Sequence, residues 1–63
     1  MSVNRRDLIR HFEQNGFFLK REGTNHSIYS DSGGKRIPIK RHRTFDRITA
    51  NNLCKQAGIP QVF

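Results

Sequence analysis

Two turn signals enclose one short apolar stretch and commit the middle of this chain to hairpins. The first is Gly23-Thr24-Asn25, where glycine can supply a positive φ and the polar pair can hydrogen-bond their own backbone. The second, Asp31-Ser32-Gly33-Gly34, is the clearest turn in the sequence. Between them, Asn25 to Ser30 reads as a strand, because Ser27-Ile28-Tyr29 includes the β-branched and aromatic side chains that suit a pleated surface. A strand over Phe17 to Glu22 precedes the first turn, and another over Lys35 to Lys40 follows the second. In the earlier strand, Phe17, Leu19 and Arg21 share one face and Phe18, Lys20 and Glu22 the other. In the later one Ile37 and Ile39 share a face, and Pro38, which lacks a ladder donor, argues that the strand lies at a sheet edge or that its N–H side is open.

Helical patterns flank the strands. Val3 to Asn15 predicts a first helix, N-capped by Asn4, with Asp7 three residues on and Val3 and Leu8 spaced as a hydrophobic staple. Leu8, Ile9 and Phe12 form its apolar face, His11 lies at the boundary of that stripe, and Gly16 supplies the left-handed stop. A second helix is predicted over Thr49 to Ala57, capped by Thr49, with Ile48 and Leu53 as its staple. Ala50, Leu53, Cys54 and Ala57 make its inner face, Gly58 ends it, Ile59 packs back, and Pro60 to Phe63 is a tail. The basic stretch Arg41 to Arg47 connects strand to helix with Phe45 tucked under it. The order α-β-β-β-α predicts an α+β domain over residues 1–63. In it, a three-stranded antiparallel sheet carries both helices on one face.

Size and charge bound what such a domain does. With 63 residues, 33% of them hydrophobic, there is one core and no separate substrate domain. Any chemistry belongs on the surface or in a shallow groove. Twelve Lys and Arg against five acids give a formal charge of +7, and eight of the twelve are Arg, the residue whose planar fork suits phosphate. Nucleic acid, an anionic membrane or an acidic protein could each neutralise that charge. No apolar run approaches the ~18 residues of a membrane span, neither helix has the large basic face of a membrane-surface peptide, and no signal-peptide core follows Arg5 and Arg6. The single Cys54 has no internal disulfide partner, which fits a reducing cytoplasm.

His26 stands where the first turn becomes a strand. Lys20 and Arg21 precede it, and Lys35, Arg36, Lys40, Arg41 and Arg43 follow. Alternation puts His26 and Ile28 on one face and Tyr29 on the other, and a bulge near Gly23 would change which face is the inner one. Two readings fit these residues: a surface histidine at a strand start, or a proton-transfer group in a basic field. Other chemistries find little to work with. The three histidines and one cysteine lack zinc-type spacing, Cys54 on a core face is a poor nucleophile, and Gly33-Gly34 lacks the strand-to-helix setting of a phosphate loop. Metal-free phosphodiester transfer on RNA remains. There the 2′-OH is the nucleophile, an imidazole moves the proton, and Arg and Lys stabilise charge on phosphorus.

Four segments together make the chain resemble the HicA toxins, small ribonucleases of bacterial toxin–antitoxin pairs. They are the first helix ending at Gly16-Phe17, the block Arg21 to Tyr29, Ile37-Pro38-Ile39-Lys40-Arg41-His42, and Thr49 through Gly58-Ile59. The resemblance implies a double-stranded-RNA-binding-domain-like fold, metal-independent cleavage of mRNA with no cofactor, and inhibition by a HicB antitoxin. It implies that His26 is the catalytic histidine, that Gly23 is the turn glycine before it, and that Pro38, Arg41 and His42 form a segment more structural than catalytic. Asn25 stands where family members often carry serine, and Asn51 where a basic residue is common. Lys20, Arg21, Lys35, Arg36, Lys40 and Arg41 are the expected RNA-binding residues. The alternative is a non-catalytic RNA-binding module of the same fold, recognising phosphates and 2′-OH groups. The start Thr49-Ala50-Asn51-Asn52 lacks the lysines such a module carries on its second helix.

Overall fold

The computed structural model describes residues 2–63. The elements are β1 (Ser2–Asn4), α1 (Arg5–Gln14), β2 (Phe18–Glu22), β3 (His26–Ser30), β4 (Arg36–Lys40), β5 (Thr44–Asp46) and α2 (Arg47–Ala57). The expected α-β-β-β-α layout is present, with an antiparallel meander in the order β2-β3-β4. Two short strands, β1 and β5, add a second antiparallel ribbon that pairs Val3 with Phe45. This ribbon shortens the first helix relative to the sequence reading. Asn4 precedes α1 as expected and is paired with Thr44, but its side chain makes no capping bond. The Arg5 N–H instead donates to Arg43 O at 2.8 Å.

The second helix also starts earlier than expected. Its N-cap is Asp46 rather than Thr49, and the Asp46 carboxylate accepts from both the N–H (2.7 Å) and the hydroxyl (3.0 Å) of Thr49. A carboxylate takes both donors of Thr49 at once, which a threonine hydroxyl at the cap position could not do. Ile48 therefore lies inside the first turn and is 75% exposed, so it forms no staple with Leu53. At the other end Gly58 adopts φ +74, and Ile59 N–H reaches back to Cys54 O, a Schellman-type stop that leaves Ile59 partly buried. Gly16, at φ +88, stops α1 as expected.

One apolar cluster holds the layers together: Val3, Leu8, Phe12, Phe17, Tyr29, Ile37, Ile39, Phe45, Ala50, Cys54 and Ala57. Ile37 and Ile39 point inward as expected, Pro38 points outward, and β4 is an edge strand. The first strand departs from simple alternation. Leu19 pairs with Tyr29 but Arg21 pairs with Ile28, so Lys20 is the extra residue of a β-bulge. The bulge moves Arg21 to the outer face and Glu22 to the inner one, and the expected sharing of a face by Leu19 and Arg21 fails. Leu19 is 46% exposed.

Candidate functional site

The inner face of β3 is occupied by Ser27 and Tyr29, so His26 and Ile28 face outward. The outer face of the sheet thus begins with an exposed imidazole at the mouth of the β2–β3 hairpin. Lys40 stands directly across from His26 in the β3–β4 ladder. Cross-strand neighbours on one face lie about 5 Å apart at Cβ, and both side chains line the same grooves.

The hairpin that carries His26 is closed by a bond of 2.8 Å from Gly23 N–H to His26 O. Gly23 does not take the positive φ expected of it, since the positive-φ glycines are Gly16, Gly34 and Gly58. Its requirement is spatial. A Cβ at position 23 would sit 3.0 Å from the His26 carbonyl oxygen, too close for a side chain without moving that carbonyl. The second turn behaves as its sequence suggests: Asp31 Oδ1 accepts from Gly33 N–H and Lys35 N–H, and Gly34 adopts φ +89.

Beneath His26 a polar chain fixes the strand from the inner side. Arg5 Nη2 donates to Ser27 Oγ at 2.8 Å, and Ser27 Oγ donates to Glu22 Oε1 at 3.1 Å. Arg5 Nε also donates to Lys40 O, and Arg41 donates to Gly23 O while its Nε lies 3.7 Å from Glu22 Oε1. Glu22 reaches this network only because the Lys20 bulge turned it inward. Ser27 is 1% exposed and its hydroxyl both accepts and donates, so this buried polar group is satisfied. Arg5 and Ser27 were given no role in the sequence reading. Their signal there was only a polar residue at the alternate position of an otherwise apolar strand.

The expected RNA-binding residues divide into three places. Lys40 and Arg41 line one groove with His26 and His42. Lys20, Arg21 and Arg36 gather around Ile28 on the outer sheet face. Lys35 lies elsewhere: its Nζ approaches Gly58 at the C-terminal end of α2. A larger groove of about 450 Å³ runs from His26 and Lys40 to the Thr49 and Gln56 side of α2, and His42 lines it too. The His42 ring stacks on Phe45 with centroids 6.0 Å apart and planes 27° from parallel. Asp46 borders the same groove, with its carboxyl held below the usual range by the Thr49 backbone and side-chain hydrogen bonds.

The remaining candidates lie outside the groove. His11 Nε2 bonds Pro60 O at 2.7 Å and its ring meets Phe63 edge-on, so it ties down the C-terminal segment. Asn51 holds the same segment by bonding both the N–H and the carbonyl of Phe63. Cys54 is buried, and burial pushes its thiol up, which keeps it in the unreactive protonated form. Among the described residues no group of three or more His, Cys, Asp or Glu could hold a metal ion, and no helix is long and apolar enough to cross a membrane.

No curated protein and no solved structure matches the chain. One protein family does, described as the HicA toxin of bacterial toxin–antitoxin systems, over residues 5–59 of the 63. The match takes in the His26 hairpin, the Lys40-Arg41-His42 segment and all of α2, and it implies an antitoxin partner. The chain belongs to the HicA toxins of bacterial toxin–antitoxin systems.

Proposed function

We propose that this toxin is an endoribonuclease that cleaves mRNA without a metal, using His26 as its general base. The observation that carries the reading is the placement of His26, exposed at a strand start, opposite Lys40 and at the meeting of two grooves. An imidazole titrates near pH 6.5 in water and can accept the 2′-OH proton at neutral pH. The freed 2′-oxygen attacks the adjacent phosphorus, and the P–O5′ bond breaks, leaving a 2′,3′-cyclic phosphate and a 5′-OH. Lys40, across from His26, would stabilise the added charge on the phosphoryl oxygens. Arg41 is already engaged with Glu22 and Gly23, so its main part is to brace the hairpin.

RNA would lie along the outer face, from Lys20, Arg21 and Arg36 toward Lys40, held chiefly through phosphates. A HicB-type antitoxin would inhibit by covering His26 with an acidic surface, since the field that attracts phosphate also attracts carboxylates. The site of action is the bacterial cytoplasm, where mRNA is available and Cys54 stays reduced.

The test is cleavage of RNA by the purified protein in EDTA beside His26→Ala. The variant should retain RNA binding and lose about 10²–10⁴-fold in rate. A folded His26→Ala protein that cleaves at the wild-type rate removes His26 from the chemistry. Binding without cleavage by the wild type would leave a non-catalytic RNA-binding module.

A further inference from the structure

The ribonuclease reading leaves one proton unassigned. Attack by the 2′-oxygen needs a base on one side of phosphorus, and departure of the 5′-oxygen needs a proton on the other. In-line displacement separates the attacking and leaving oxygens across the phosphorus, so a single imidazole at the 2′-oxygen is poorly placed to serve both ends. We propose that His42 is the general acid of this site, donating its proton to the 5′-oxygen as the P–O5′ bond breaks. This rests on the assignment of His26 as base.

Three observations support it. His42 lines two of the three grooves that His26 lines, the two that also hold Lys40, so one phosphodiester can face both rings. His42 is exposed on a connection, yet its ring is held against the buried Phe45, which gives a fixed orientation instead of a free rotor. The third is chemical: the other titratable groups at these grooves are Lys40, Arg41 and Asp46. Arg41 and Lys40 carry cationic heads suited to charge stabilisation, and the Asp46 carboxyl, held below the usual range, is engaged by Thr49. His42 is the second imidazole the reaction requires. The family resemblance implied a structural part for it, and stacking on Phe45 serves that part as well.

The proton and electron count closes. His26 takes the 2′-OH proton, the 2′-oxygen pair forms the bond to phosphorus, and the P–O5′ pair leaves on the 5′-oxygen. That oxygen takes the proton of the His42 imidazolium. The turnover ends with His26 protonated and His42 neutral, and exchange with solvent resets both.

A substrate with sulfur in place of the bridging 5′-oxygen separates the roles, because a thiolate leaves without being protonated. Wild type, His26→Ala, His42→Ala and His42→Phe are compared on ordinary and 5′-thio RNA in EDTA, with RNA binding and circular dichroism recorded for each. His42→Phe keeps an aromatic ring on Phe45 and removes only the proton donor. Both His42 variants should be slowed about 10²–10⁴-fold on ordinary RNA and return close to the wild-type rate on the 5′-thio substrate. His26→Ala should stay slow on both. Folded His42 variants that cleave ordinary RNA at the wild-type rate, or that are equally slow on both substrates, overturn the acid assignment. If wild type cleaves neither substrate, or if His26→Ala cleaves both normally, the underlying ribonuclease reading fails instead. If sulfur rescues His26→Ala and not the His42 variants, the two roles are reversed and the proposal is wrong as stated.

Discussion

Arg5 Nη2 donates to the buried hydroxyl of Ser27 at 2.8 Å, joining the first turn of α1 to the residue that follows His26. A guanidinium at a helix N-terminus is unfavourable toward the helix dipole. Here its length lets it cross to the sheet, where it also bonds Lys40 O. One side chain therefore ties together the two strands that carry His26 and Lys40. Ser27→Ala leaves Arg5 and Glu22 short of a partner inside the protein. The expected loss is about 1–3 kcal/mol of stability, with a fall in cleavage smaller than that of His26→Ala. Denaturant unfolding and single-turnover cleavage measure the two effects. Unchanged values in both would mean that this network does not hold the site.

Gly23 gives a second prediction, with Gly16 as its contrast. An alanine methyl at position 23 would press on the His26 carbonyl, where the closing bond of the hairpin is made. Gly23→Ala should reduce cleavage more than it reduces stability, because the strain falls on the residue that carries the imidazole. Gly16→Ala meets no neighbour but must hold φ +88, which costs about 1–2 kcal/mol. It should lower the melting temperature and leave cleavage per folded molecule intact. If the two variants behave alike, the close approach at Gly23 has no special effect on His26.

The contrast between these glycines also shows what a reader of the sequence could and could not see. Gly16 and Gly58 stop helices because apolar periodicity ends beside them, and that is a local signal. The need for glycine at position 23 comes from a carbonyl three residues away and depends on how the hairpin closes. The Lys20 bulge is likewise invisible in the run Phe17 to Glu22, where alternation looks unbroken. It becomes necessary only when Glu22 must meet Ser27 while Arg21 stays outside. The ribbon of β1 and β5 was missed because each strand has three residues and pairs across the whole chain. The place of His26 where the hairpin turn becomes a strand was legible, and so was the α-β-β-β-α order. The direction His26 faces was not, because it follows from which of Ser27 and Ile28 the helices cover.

Asp46 predicts a pH dependence. Its folded-state pKa is depressed by the Thr49 hydrogen bonds. The cap is therefore fully stabilising above the unfolded carboxyl pKa of about 3.9, and its contribution is lost as pH falls through the lower folded value. Asp46→Ala should lower the melting temperature at neutral pH by freeing two donors of Thr49. The gap between variant and wild type should narrow as the pH is taken below about 4. Thermal melts across that range decide the matter, and a gap that widens in acid would contradict the cap assignment.

Cys54 should be silent to thiol reagents in the native protein. It is buried in the core and burial raises its pKa, so little thiolate is available and access is closed. Labelling should be slow without denaturant and fast after unfolding, and a completely labelled native protein would place Cys54 outside the core. Cleavage should be unaffected by brief treatment with the reagent, since no groove at His26 includes this thiol.

The last prediction separates the basic residues by position. If about four phosphates of a single strand are neutralised, log K should fall against log salt with a slope near −3, at about 0.7 per phosphate. Lys40 faces the His26 groove, whereas Lys35 reaches toward the C-terminal end of α2. Lys40→Ala should therefore weaken RNA binding and flatten the slope by about 0.7, the signature of one lost phosphate contact. Lys35→Ala should leave the slope unchanged and act instead on stability, because a cation near a helix C-terminus interacts favourably with its dipole. Both are read from binding titrations at several salt concentrations, with melts as a check. Equal slopes for the two variants would show that RNA does not follow the His26 groove, and a flat salt response in the wild type would assign the +7 charge to an acidic protein partner.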